Sequence, residues 1–83
     1  MASKFRVYTD KKCVPDKVSA LSIANELSSD FLVFVGVTNE CCFFDVFSDL
    51  CNYDFAVDTF SEKLVVLLPN FWSFTKNRIE EIK

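Results

Sequence analysis

The sequence contains no histidine, one glycine and two prolines, and no lysine or arginine between Val18 and Glu62. Each absence excludes something. Without an imidazole, general acid–base work falls to carboxylates or lysine, and no such pair here has a neighbour in sequence that tunes it. Ser48, Ser61 and Ser73 have no base to activate them. A zinc site would need all four thiolates, Cys13, Cys41, Cys42 and Cys51. Their spacing is not that of a paired metal knuckle. A strand through residues 41–47 would also point Cys41 and Cys42 to opposite faces. The sequence therefore predicts no metal, no cofactor and no enzyme. One glycine excludes a Gly-rich phosphate loop and a flexible low-complexity linker. It also leaves few positions where the backbone can take a positive φ at no cost.

Long apolar runs are missing too. The longest, Phe31–Val37 and Leu64–Leu68, fall far short of the roughly 18 residues needed to span a bilayer. Met1-Ala2-Ser3-Lys4 leads straight into Phe5-Arg6-Val7-Tyr8 without a secretory pattern. A cytoplasmic protein with no membrane partner is the expectation, and its cysteines are read as free thiols packed as small apolar residues.

Apolar and aromatic side chains are abundant. Eighty-three residues suit one domain, and 51% of them are hydrophobic, including ten Phe, one Trp and two Tyr. That composition gives a short chain the rich core it needs. Some rings will be left over, either as the few exposed rings of an ordinary aromatic core or as a surface patch that pairs with a partner or a second copy.

Phe5–Tyr8 alternates as a short strand. Pro15 and Asp16 suit a helix start, and Ala20, Ile23, Ala24 and Leu27 share one face, flanked by Val18 and Leu21. Ser28-Ser29-Asp30 ends that helix. Phe31–Val37 is apolar on both alternating faces and reads as a central strand covered on both sides, or on one side plus a partner. Gly36 marks a bulge or a close approach within it. Thr38-Asn39-Glu40 turns the chain back into Cys41–Phe47. For residues 48–62 helical spacing is chosen over a hairpin, with Leu50, Tyr53, Ala56, Val57, Phe60 and Leu64 on one face. Lys63–Leu68 then reads as a buried strand closed by Pro69. Asn70 caps a last helix carrying Trp72, Ile79 and Ile82, with Phe71 and Phe74 beside them. The expected fold is α+β: a small antiparallel sheet with helices on one face in the ferredoxin-like βαββαβ order, plus a C-terminal helix. The alternative is a strand and helix followed by a four-strand meander and the same helix.

Charge is segregated. Met1–Lys17 carries net +3, Val18–Glu62 net −8 and Lys63–Lys83 net +2. The acids of the middle segment are Glu26, Asp30, Glu40, Asp45, Asp49, Asp54, Asp58 and Glu62. On a helix, Asp54, Asp58 and Glu62 fall at i, i+4 and i+8 and form an acidic ridge. Such a ridge is either a solvated polar face or a surface that steers toward a basic partner, while an acidic chain without a basic aromatic groove disfavours direct nucleic-acid binding. The N-terminal cations Lys4, Arg6, Lys11, Lys12 and Lys17 complement the chain's own acidic part.

One short stretch carries a resemblance. Val7-Tyr8-Thr9, followed by Cys13-Val14-Pro15-Asp16, resembles the strand–Cys–x–x–Cys–helix start of thioredoxin-like and glutaredoxin-like proteins over about a dozen residues. Asp16 stands where the second cysteine would be, and Pro69 follows a strand instead of preceding one. The resemblance implies at most a thiol-redox role for Cys13, which has Lys11 and Lys12 beside it.

The functional expectation is a small non-enzymatic protein-binding module. Its composition is in keeping with a phage or viral accessory protein that inhibits or modulates a host nucleic-acid-processing protein. The binding residues expected are Asp45, Asp49, Asp54, Asp58, Glu62, Phe71 and Trp72. The alternative is a self-associating structural protein, pairing across the sheet or through Phe71, Trp72 and Phe74.

Overall fold

In a computed structural model, residues 3–9, 14–68 and 79–82 are described. The fold is α+β. Its elements are β1 (Ser3–Tyr8), α1 (Lys17–Leu27), β2 (Leu32–Val37), β3 (Cys42–Ser48), α2 (Tyr53–Leu67) and β4 (Ile79–Glu81). The four strands form one antiparallel sheet in the order β2-β3-β1-β4, so β1 and β3 are central and β2 and β4 are edges.

The central strands set the layering. Phe5 and Val7 of β1 and Cys42, Phe44 and Val46 of β3 are buried, while the residues between them are exposed or half-buried. Period-two alternation sends the first set toward the helices and the second to the other face. Both helices complete the same core, α1 through Ala20, Ala24 and Leu27 and α2 through Ala56, Phe60 and Leu64. α1 lies over β2 and β3, and α2 over β1.

Local chemistry explains the boundaries. The Asp16 carboxylate caps α1 by accepting from the Ser19 N–H at 2.8 Å, a bond that holds its pKa below the ordinary value. Asn52 caps α2 in the same way, accepting from the Phe55 N–H at 2.9 Å. No described residue has a positive φ, so turns that usually recruit glycine are built from side chains. In the β2–β3 hairpin the Thr38 N–H donates to the Cys41 carbonyl at 2.8 Å. The Thr38 hydroxyl oxygen accepts from the Glu40 and Cys41 N–H groups at 3.3 and 3.1 Å.

Several expectations are corrected. Lys63–Leu68 is not a strand: α2 runs on to Leu67 because Leu64 continues the buried stripe of Ala56 and Phe60. The helix ends only at Leu68, whose φ of −131° and ψ of 80° suit a residue before proline. Ile79–Glu81 is the fourth strand, paired with β1, and not part of a C-terminal helix. Residues 69–78, including Phe71, Trp72 and Phe74, lie outside the described residues. β2 is an edge strand, not a central one, and Leu32, Phe34 and Val37 are about half exposed on it. The helical residues 53–67 rule out the four-strand meander. Gly36 marks a close approach without a bulge: register with β3 is unbroken, and a Cβ there would lie 2.0 Å from Cζ of Phe43.

Phe60 holds the layers together. Its ring meets Phe5 edge-on at 5.6 Å and Phe31 at 5.3 Å. Phe60→Ala is expected to cost about 3–5 kcal/mol, a large share of the stability of a domain this size. The next residue gives the opposite result. Ser61 is buried and its hydroxyl has no hydrogen-bond partner among the described residues. Ser61→Ala should raise stability by about 1 kcal/mol. Urea denaturation of the two variants beside the native chain measures both effects.

Candidate functional site

α2 has two unlike sides. The inner stripe of Ala56, Phe60 and Leu64 is buried, with Tyr53 and Val57 packed against it. On the outer side Asp54, Asp58 and Glu62 are all exposed. Asp54 gains from its place in the first turn, at the positive end of the helix dipole. Asp58 and Glu62 have no such compensation, and like charges at i, i+4 repel by a few tenths of a kcal/mol per pair. No described cation neutralises the row. Among the described residues the ion pairs are Arg6–Asp45 and Lys63–Asp30. Lys63, next in sequence to Glu62, is thus engaged elsewhere, and its ammonium lowers the Asp30 pKa.

Two exposed apolar residues flank these acids. Phe55 is 58% exposed and Val66 79% exposed, and both fall within about a third of a helical turn of Glu62 at 100° per residue. Sequence reading missed Phe55. The available signal was angular: in the helix, Phe55 falls off the stripe defined by Ala56, Phe60 and Leu64 and must point outward.

The other expected residues are distributed differently. Asp49 is exposed in the β3–α2 connection and shares an open depression of about 240 Å³ with Asp30, Thr59 and Lys63. Asp45 lies apart from the helix, on the sheet face away from the helices. There it pairs in register with Arg6, whose Nε donates to Oδ1 at 2.7 Å and a terminal nitrogen to Oδ2 at 3.1 Å. This charge-assisted pair raises the Arg6 pKa further. The guanidinium also stacks 4.1 Å above the Phe43 ring. Tyr8 donates to Glu80 at 3.2 Å on the same face, and Phe34 meets Phe47 edge-on at 5.6 Å. Asp45 is therefore neutralised locally. Phe71, Trp72 and Cys13 lie outside the described residues.

No three His, Cys, Asp or Glu side chains among the described residues are grouped to hold a metal ion. The Cys41 thiol lies 3.6 Å from the Thr38 hydroxyl, which cannot act as its base. No described helix is long and apolar enough to cross a membrane. What the arrangement offers is surface: a row of carboxylates without an ion pair among the described residues, with exposed apolar side chains beside it.

The base of the row supplies a pH test. Burial pushes the Tyr53 phenol up from its ordinary value, and the Glu81 and Asp54 charges add to the shift. A phenol whose folded pKa is raised stabilises the fold fully below the unfolded value of about 10. That contribution is lost as pH rises through the folded value. Tyr53→Phe should remove this loss, and urea midpoints measured between about pH 8 and 11 should fall less steeply for the variant. Compared with known protein families, curated proteins and solved structures, the chain matches none.

Proposed function

We propose that this chain is a small non-enzymatic module that binds a basic protein surface through the outer side of α2. The observation that carries the reading is the row Asp54, Asp58 and Glu62, exposed and without a cation among the described residues, with Phe55 beside it. Unpaired carboxylates raise the encounter rate with a positive partner and penalise negative ones. An exposed aromatic next to them supplies the apolar anchor on which affinity usually concentrates. The ridge lowers helix stability slightly, so its support for the fold does not account for it.

A nucleic-acid-binding protein is the partner class that fits this chemistry best, because its basic groove accepts carboxylates in place of phosphates. Acting there, the module would inhibit or redirect the partner by occupying that groove. The composition is in keeping with a phage or viral accessory protein working in a host cytoplasm. The non-enzymatic part of the reading is supported by the missing histidine and by the absence of a paired nucleophile and base among the described residues.

The test uses the immobilised native chain and a variant with Asp54, Asp58 and Glu62 changed to Lys. A partner held by the native chain, released by moderate salt and bound at least tenfold more weakly by the variant is the expected result. Phe55→Ala should weaken the same partner without changing the salt dependence. Far-UV circular dichroism checks that both variants fold. Binding that survives the charge reversal at moderate salt overturns the proposal.

A further inference from the structure

Among the described residues β2 is an edge strand, and its own sequence carries none of the usual protection. From Phe31 to Thr38 the chain carries no charge and no proline, and the β2–β3 register shows no bulge. Natural edges are blunted by such devices because a bare edge pairs with another strand. The exposed backbone groups can be identified. The Thr38 N–H bonds to the Cys41 carbonyl across the hairpin, and the Thr9 N–H bonds to the Cys42 carbonyl from the opposite side of β3. Antiparallel pairs alternate between bonded and non-bonded. Leu32, Phe34 and Gly36 therefore turn their backbone groups toward β3, and Val33, Val35 and Val37 turn theirs outward. The occupant of this edge must be an extended strand.

We propose that the occupant is a second copy of this chain, paired antiparallel along β2 about a two-fold axis at Val35. The strand is self-complementary in that register. Val33 meets Val37 of the second copy, Val35 meets itself, and all three outward N–H and C=O pairs of each copy are satisfied. These are pairs of β-branched residues, which favour strand pairing. On the other face Phe34 comes opposite Gly36 of the second copy. No Cβ stands there and the Phe43 ring lies over the glycine, so Phe34 closes against an aromatic face. The pairing covers Leu32, Phe34 and Val37, which are about half exposed, and joins two four-stranded sheets into one. At the strand ends the same register brings Asp30 toward Glu40 of the second copy, with Lys63 already bound to Asp30. Salt screens this acidic approach, so the dimer should hold or tighten as salt rises, opposite to a contact made by the α2 carboxylates. The pairing uses none of Asp54, Asp58, Glu62 or Phe55, so the inference stands independently of the proposed function.

Sedimentation equilibrium on the native chain is expected to show a monomer–dimer equilibrium in the micromolar range that persists at about 1 M salt. Hydrogen exchange at the Val33, Val35 and Val37 amides should slow as concentration rises. Phe34→Lys places an ammonium in register with Asp45, so the variant should stay folded but become monomeric. Val37→Pro removes an outward N–H and no bond to β3, and should do the same. A native chain that stays monomeric at high micromolar concentration overturns the proposal, as does a dimer that both variants leave intact. Outward amides protected only by an added unrelated extended peptide would assign the edge to another protein's strand and overturn the second copy as occupant.

Discussion

The edge-on contacts of Phe60 with Phe5 and Phe31 are the constraint on which the rest of this structure depends. They join α2 to a central strand and to the segment entering β2, and they lie at the centre of the core. A chain of 83 residues buries a modest fraction of its surface, so a few large rings must supply much of the apolar contact. Once Phe60 faces inward, helical periodicity fixes what faces outward. Ala56 and Leu64 follow it into the core, and Asp54, Phe55, Asp58, Glu62 and Val66 are left in solvent. The acidic row is thus held rigidly by the same residue that holds the fold.

The sheet face away from the helices solves a different problem. It carries Tyr8, Phe34, Phe43 and Phe47, a concentration of rings that the described helices do not cover. The Arg6–Asp45 pair lies among them and makes the face amphiphilic: its guanidinium covers Phe43 while its charge is held by the carboxylate. Gly36 admits the Phe43 ring where any side chain would collide with it. The single glycine of the chain is therefore used for ring packing, and the hairpin turn is left to the Thr38 hydroxyl.

Much of this was legible in the sequence where two signals coincided. α1 combined Pro15 and Asp16, read as its first turn and positive end, with Ala20, Ala24 and Leu27 at helical spacing; in the structure Asp16 is the cap and Pro15 precedes the helix. β3 followed a turn. The helix expected over 48–62 holds only from Tyr53: Ser48 ends β3, residues 49–51 connect, and Asn52 caps α2. The last turn of α2 was not legible. Lys63–Leu68 is rich in Val and Leu, and a short apolar run does not distinguish strand from helix by composition. Cooperative extension of a stripe already buried decided it. Ile79–Ile82 has apolar ends at helical spacing, yet pairs with β1, where Ile79 stands opposite Val7 and Glu80 opposite Arg6. That outcome rests on long-range pairing, which no local pattern encodes. The misplacement of β2 has the same origin: apolar residues on both faces suit a central strand and an edge strand that another chain covers equally well. For the candidate site, the carboxylates of α2 followed from spacing. The removal of Asp45 from that group did not, because it depends on which strand lies beside β3.

The charge pattern explains why the acids end up in two states. From Val18 to Glu62 the chain has eight acids and no cation, so any of them can be neutralised only by a residue brought from outside that stretch. Antiparallel pairing of β1 with β3 delivers Arg6 to Asp45. The last turns of α2 deliver Lys63 to Asp30. The remaining described cations, Lys4 and Lys17, make no ion pair with a described residue, and neither lies on α2. A sequence that wanted only solubility could intersperse lysines along the outer side of α2 and gain stabilising i, i+4 pairs. This one places three acids there, directs the adjacent lysine to another partner and leaves a phenylalanine exposed beside them. That combination forgoes helix stability for a surface with one sign of charge beside an exposed ring, and the proposed binding role rests on it.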